Sequence, residues 1–149
     1  MVALSRTTLT PAAATIVLAH AVAGWLWCGA LIGIGQQLMS MQATLIAHAI
    51  GAPLGYAVIT FVYFRRHGGT EPLATALVFV GTAIFLDVFV VALLIERSFA
   101  MFASPLGTWL PLASSFAVSW AIGVAARRPP RQQVAQELPG QGRGAEARR

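Results

Sequence analysis

Four long runs of apolar residues, separated by short polar links, are the main pattern along this chain. They cover residues 11–35, 43–64, 72–95 and 108–126. A helix needs roughly 20 apolar residues to cross the hydrocarbon core of a bilayer, and each run reaches or approaches that length. The first run exceeds the ~7–15 residues of a signal peptide's apolar region, so we interpret it as an uncleaved helix. The pattern predicts an all-α polytopic membrane domain over residues 1–126, with four transmembrane helices in an up-down bundle.

The ends of the runs carry residues typical of helix starts and stops. Thr10 followed by Pro11 is typical of an N-cap and a first helical residue. The second run ends at Arg65 and Arg66, which are followed by a histidine and two glycines. Beyond the fourth run, residues 127–149 are rich in proline, glycine, glutamine and arginine and show no apolar period. We expect this stretch to be a disordered basic tail on the cytoplasmic side.

The amino-acid composition supports a membrane environment and excludes some classes of binding partner. Apolar residues make up 57% of the chain and charged residues only 10%, which leaves too little polar surface for a water-soluble protein. The basic charge comes with no nucleic-acid recognition motif, so the expected partner is the lipid bilayer and not nucleic acid. The single cysteine, Cys28, excludes an internal disulfide.

The arginines near the helix ends predict the orientation. Most of them lie beside the amino arm, the second link or the tail, whereas only Arg97, next to Glu96, lies on the opposite side. By the positive-inside rule, both termini are expected in the cytoplasm. Arginine without lysine, with much alanine and glycine, is typical of a GC-rich bacterium and points to its inner membrane. The arginines on the same side of the membrane as the two termini are Arg6, Arg65, Arg66, Arg127, Arg128 and Arg131.

Ionisable residues inside the runs define a candidate polar centre. Asp87 lies near the middle of the third run, where an acid costs ~2.5–3.5 kcal/mol on insertion scales and tends to face a bundle interior. At ~1.5 Å rise per residue, His48 and Asp87 share a depth, and we expect them to pair directly or through water. His20 lies about 10 Å nearer the cytoplasm and Glu96 lies at the outer rim. Together these residues predict a descending proton or ion route; alternatively, His48 and Asp87 only tie two helices together.

Pro53 interrupts the second run within the stretch H-A-I-G-A-P. A proline inside a helix removes the hydrogen bond to the carbonyl four residues earlier, here Ala49, and bends the helix. Lipid cannot satisfy that carbonyl, so protein or water must. Because Ala49 follows His48, the freed acceptor is expected to lie close to the polar centre.

Small residues recur at every fourth position in three runs, a pattern that lets helix backbones approach closely. We expect these faces to meet, either within one chain or between two copies in a homodimer. Since four helices enclose little volume, transport would need such a dimer or another membrane-protein partner. The residues are Ala43, Ala47, Gly51 and Gly55 in the second run, Ser115, Ser119 and Gly123 in the fourth, and Gly29 and Gly33 in the first.

Cofactor and catalytic alternatives have weaker support. His20 and His48 would ligate one haem only if they were level, and their depths differ. Met39, Met41 and Met101, with Cys28 and His48, are soft or imidazole ligands on one side of the membrane and suit Cu(I), although methionine is also an ordinary packing residue. No hydrolase, phosphate-loop or metalloprotease motif occurs, so we expect neither an enzyme nor a resident cofactor.

In its layout the chain resembles the small four-helix inner-membrane proteins of bacteria to which no activity is assigned. The most distinctive strings are H-A-I-G-A-P from His48 and L-D-V-F-V-V-A from Leu86. It looks unlike fluoride channels, since their glycine-rich signature is missing, and unlike small multidrug exporters, since the first run has no acid. The leading hypothesis is proton-linked transport of a small solute or ion. The alternatives are a structural or accessory subunit of a membrane complex and a haem- or copper-binding redox protein.

Overall fold

The computed structural model describes residues 10–127, and in that range the chain is all-helical. Four helical stretches are long and apolar enough to cross a membrane, which confirms the predicted fold class at that level. The tail beyond Arg127 and the arm with Arg6 lie outside the described residues. The helices are α1 (Pro11–Leu38), α2 (Met41–Arg66), α3 (Pro72–Leu86, continued by a π-helix over Asp87–Ile95) and α4 (Leu110–Ala126, preceded by a π-helical turn over Pro105–Trp109).

The first link is shorter than the sequence pattern indicated. Thr10 caps α1 as expected, since its hydroxyl accepts a hydrogen bond from the amide of Ala13 at 3.3 Å. The helix then continues to Leu38 because nothing in Gly35-Gln-Gln breaks it. Ser40 already caps α2 by accepting from the amide of Ala43 at 3.3 Å. The two helices are therefore joined by only Met39 and Ser40.

The third helix changes its winding at Asp87. From this residue to Ile95 the turns are wider, and the last of them is closed by the Glu96 amide, which donates to the Val91 carbonyl at 2.8 Å. Arg97 then stops the helix in a left-handed backbone conformation, with φ of 50°. Wide turns inside a helix are frequent at functional sites. Here the change of winding starts at the one acid inside the described helices.

Each helix packs against two neighbours. α1 packs against α2 and α3, and α4 packs against the same two helices, so α2 and α3 lie across the diagonal of the bundle. His20, early in α1, contacts Tyr63, late in α2, at what we call the terminal end. Gly35, late in α1, faces Thr44, early in α2, at what we call the distal end.

Most buried side chains in residues 10–127 are small or polar, Phe79 being a large apolar exception, and many large apolar ones are exposed. Hydroxyl residues on facing helices, among them Thr60 and Ser119, are fully buried. Ile50, Leu54 and Val58 point outward and are each more than half exposed. A water-soluble protein shows the opposite distribution, because its large apolar residues form the core.

The small-residue ridges of α2 and α4 face other helices of the same chain. A Cβ added at Gly51 would lie 2.7 Å from Leu31, and one at Gly55 would run into the indole of Trp27, both on α1. Ala47 is half-buried on the same helix. On α4, Ser115 and Ser119 are buried, and a Cβ at Gly123 would lie 2.8 Å from Pro72.

The ridge of α1 behaves differently from the expectation. No atom lies within 4 Å of a Cβ built at Gly29 or Gly33, so these glycines do not meet the ridges of α2 and α4. Gly24 and Gly35 make the close approaches to α2 instead. The reason is angular, since Gly29 and Gly33 occupy the face of α1 that points away from both neighbours.

Candidate functional site

Asp87 lies half-buried on α3, and its hydrogen-bond partner comes from α1. The indole Nε1 of Trp25 donates to Asp87 Oδ1 at 2.8 Å. Trp25 follows Gly24, whose lack of a side chain lets α2 approach α1 at this level, while the indole reaches across to α3. Because an indole N–H is a donor only, it fits a carboxylate oxygen and fixes the orientation of the acid.

Tyr56 approaches the same level from α2. Its ring lies against Gly24, where an added Cβ would stand 2.7 Å from two ring carbons and 3.1 Å from the hydroxyl, and it also contacts Phe79 at 5.9 Å between ring centres. Gly24 precedes Trp25 in α1, so Tyr56 and Asp87 contact neighbouring residues of that helix. Tyr56 is only 2% exposed, yet its hydroxyl has no hydrogen-bond partner among the described residues. Such an unsatisfied group costs about 1–3 kcal/mol.

Ser115 completes this level from α4. Its hydroxyl is also buried and also lacks a partner within the described part of the chain. One turn further along both helices, Thr60 donates to Ser119 at 3.1 Å, so Tyr56 and Ser115 face the α2–α4 seam at the same height. We call Trp25, Tyr56, Asp87 and Ser115 the middle layer, to which each of the four helices contributes one residue.

The structure does not join His48 to Asp87 directly. No hydrogen bond or ion pair connects them in residues 10–127, and pairing through water stays a prediction. Depth alone suggested the pair, whereas α2 and α3 are diagonal helices that meet across the core through large side chains such as Tyr56 and Phe79. His48 instead lies beside the backbone of Gly107 near the distal end, 8% exposed, and its Nδ1 has no partner among the described atoms.

Pro53 lies inside α2, as the sequence shows, but its surroundings differ from the expectation. The carbonyl that receives a side-chain donor is that of Gly51, two residues after Ala49. Trp27 Nε1 donates to it at 2.9 Å, because Gly55 leaves room for the indole against α2. Beside Trp27, an apolar groove of ≈ 340 Å³ opens on the outer surface between α1 and α2.

His20 lies at the terminal end, outside the middle layer. Its Nδ1 donates to the carbonyl of Ile16 at 2.8 Å, and its ring contacts those of Tyr63 and His67 at 5.3 Å and 5.7 Å between centres. Tyr63 and His48 are separated by fifteen residues of α2, or about 22 Å along the helix. His20 and His48 are therefore too far apart in this structure to ligate one haem iron.

A second polar cluster at the terminal end had no clear sequence signal. The hydroxyls of Tyr63 and Thr70 are 2.7 Å apart, and that of Thr75 lies 2.5 Å beyond Thr70. Arg127 Nη1 pairs with Glu71 at 2.7 Å, and Nη2 donates to the carbonyl of Thr70. These contacts tie the end of α4 to the link between α2 and α3.

The remaining candidate residues lie at the distal end. Glu96 is exposed after the last turn of α3, and Met39 and Met41 are 44% and 56% exposed around the start of α2. Met101 lies in a short 3-10 helix over Ala100–Ala103. Within the described residues, no three His, Cys, Asp or Glu side chains are close enough together to hold a metal ion.

Comparison with known proteins does not assign a family. The sequence matches no protein-family model, and no curated protein and no solved structure matches it significantly. Support for a function therefore comes from the residues of the middle layer.

Proposed function

We propose that this chain is a multi-pass protein of a bacterial inner membrane that moves a small solute or ion coupled to protons. Four apolar helices of spanning length support membrane insertion, as does the apolar outer surface around a polar interior. Arg65, Arg66 and Arg127 at the terminal end support an up-down bundle with cytoplasmic termini. Lipid is then the solvent of the outer surface.

The observation that carries the proposal is the Asp87–Trp25 pair beside the unpartnered Tyr56 hydroxyl. Asp87 is the only carboxylate inside the four described spans, because Glu71 precedes α3 and Glu96 follows it. A structural acid in such a place is expected to have all its acceptors satisfied. Here one indole N–H serves one oxygen, which leaves Oδ2 for a proton or a cation.

In this proposal Asp87 carries the proton. Trp25 holds Oδ1 whether the acid is charged or neutral, since the N–H bond needs only an acceptor. Oδ2 is then the oxygen that takes up and releases the proton. A cation and a proton cannot bind to the same oxygen at the same time. This mutual exclusion is the simplest physical basis for coupled exchange.

A proton-flux assay in liposomes tests this role. The purified protein is reconstituted with a trapped pH dye, a potassium diffusion potential is imposed, and Na⁺ or NH₄⁺ is offered in turn as the accompanying ion. We expect Asp87→Asn to lower proton movement by about tenfold or more, Asp87→Glu to retain part of it, and Glu96→Gln, at the exposed rim, to leave it unchanged.

The same preparation separates the alternatives. An Asp87→Asn protein that is merely less abundant, with unchanged flux per folded molecule, would contradict the proposal and favour a structural or accessory subunit. A Soret band or stoichiometric copper in the purified wild-type protein would favour the redox alternative.

A further inference from the structure

Among residues 10–127, the buried hydroxyls outside the middle layer are all hydrogen-bonded. Thr60 pairs with Ser119 one turn towards the terminal end, and the Tyr63 hydroxyl pairs with Thr70 beyond it. The hydroxyls of Tyr56 and Ser115 lack partners among the described residues, although each residue is only 2% exposed. In a bilayer, lipid cannot supply the missing hydrogen bonds.

The two unpaired hydroxyls belong to the layer that contains the carboxylate. Tyr56 directs its hydroxyl towards Gly24, the residue before Trp25, which bonds Asp87. Ser115 faces the same height from α4. A water molecule needs two to four polar partners in a buried site, and these groups supply that number from three different helices.

A third unpaired atom extends this set towards the distal end. His48 Nδ1 lies on the same buried face of α2 as Tyr56, two turns away, or about 12 Å along the helix. No described group pairs with it. Water bound between these levels would reach from His48 to the Tyr56 hydroxyl.

We propose that the middle layer binds water and that the Tyr56 hydroxyl relays protons between this water and Asp87. The step conserves charge on the tyrosine: the phenol oxygen accepts a proton from water on one side as its own proton leaves to a second water, which passes a proton on to Asp87 Oδ2. Asp87 becomes neutral, and the donating water regains a proton from the next water in the chain. The relay rests on the proposed proton-linked transport, whereas the bound water does not.

Radical labelling tests the bound water independently of transport. The full chain in detergent is exposed to an X-ray pulse, which makes hydroxyl radicals from water, and oxidation is read by mass spectrometry. The chain has two tyrosines, Tyr56 and Tyr63, which are 2% and 1% exposed, and only Tyr63 has its hydroxyl paired. We expect Tyr56 to be labelled several-fold faster than Tyr63, whereas equally slow labelling would overturn the water site.

Removing one oxygen tests the relay. Tyr56→Phe deletes only an unpaired hydroxyl, so the protein should be as stable as the wild type or more so. Its proton flux should nevertheless fall by about tenfold or more. In the matched control, Tyr63→Phe, the bond to Thr70 is lost, and we expect lower stability with normal flux per folded molecule.

The outcomes are distinguishable. Normal flux in Tyr56→Phe, together with lost flux in Asp87→Asn, would overturn the relay and leave the proposed function in place. A wild-type protein without proton flux would overturn both the proposed function and the relay, while the labelling rates would still decide the water site.

Discussion

Gly68 closes α2 in the left-handed backbone region, with φ of 52°. Its amide donates to the Tyr63 carbonyl at 3.2 Å, and a Cβ there would lie 3.0 Å from the carbonyl oxygen of Phe64. The next residue, Gly69, has neither constraint, since an added Cβ would approach only the His67 carbonyl at 3.8 Å. Two adjacent glycines therefore differ in what they contribute to the fold.

Gly68→Ala should lower the free energy of unfolding by about 1–2 kcal/mol, because an L-residue in this region is strained. Gly69→Ala should change it by less than about 0.5 kcal/mol. Denaturant unfolding in mixed micelles, followed by circular dichroism, measures both variants. Equal effects would show that the link rearranges and that the left-handed turn is not required.

At the scale of the helices, α2 and α4 are joined through polar groups spaced four residues apart. The Thr60–Ser119 bond is the one side-chain hydrogen bond between them in the described chain. Ser114 is its natural contrast, since its hydroxyl donates to the Leu110 carbonyl of its own helix at 2.8 Å. Ser119 is therefore expected to stabilise the association of α2 with α4, whereas Ser114 is not.

A double-mutant cycle with Thr60→Val and Ser119→Ala should give a coupling energy of about 0.6 kcal/mol, with an upper bound near 1.7 kcal/mol. The same cycle with Ser114→Ala should give a coupling near zero. Reversible unfolding in detergent measures both cycles. A zero coupling for Thr60 and Ser119 would mean that packing around Gly123 alone holds this seam.

At the scale of the whole molecule, the ridges of α2 and α4 are used within the chain, which leaves the ridge of α1 facing outward. A Cβ added at Gly29 or Gly33 would meet no described atom within 4 Å, and the same holds for Gly81 on α3. Only the first two form the spacing that allows two helices to approach closely. The homodimer predicted from the sequence would then pair α1 with α1 of a second copy along this ridge.

Replacing both Gly29 and Gly33 with leucine should leave the bundle folded, because both positions are exposed and a Cβ added at either meets no described atom within 4 Å. Dimers should decrease markedly, whereas Gly81→Leu should leave them unchanged. Subunit counting by single-molecule photobleaching in liposomes measures the dimer fraction. An unchanged fraction in the double variant would place the contact elsewhere.

One residue of the candidate site, Asp87, could be predicted from the sequence as part of a polar centre, but its partners could not. Asp87 stood out because an acid inside an apolar run is visible in one dimension. Its bond to Trp25, and the contact of Tyr56 with the neighbouring Gly24, depend on which face each helix turns inward. Position along the helix axis suggested His48 as the partner, whereas the side chain that reaches Asp87 in this structure is Trp25 of α1.

The sequence by itself determined the number of helices, their apolar length and the cap at Thr10, because each depends on residues close together in the chain. The tertiary structure alone decided which helices are neighbours and which hydroxyls lack partners. Tyr63 and Tyr56 are the same residue type on the same buried face of α2. The Tyr63 hydroxyl bonds to Thr70, whereas the Tyr56 hydroxyl has no described partner. The difference arises because hydrogen bonding depends on which atoms the fold places around each hydroxyl.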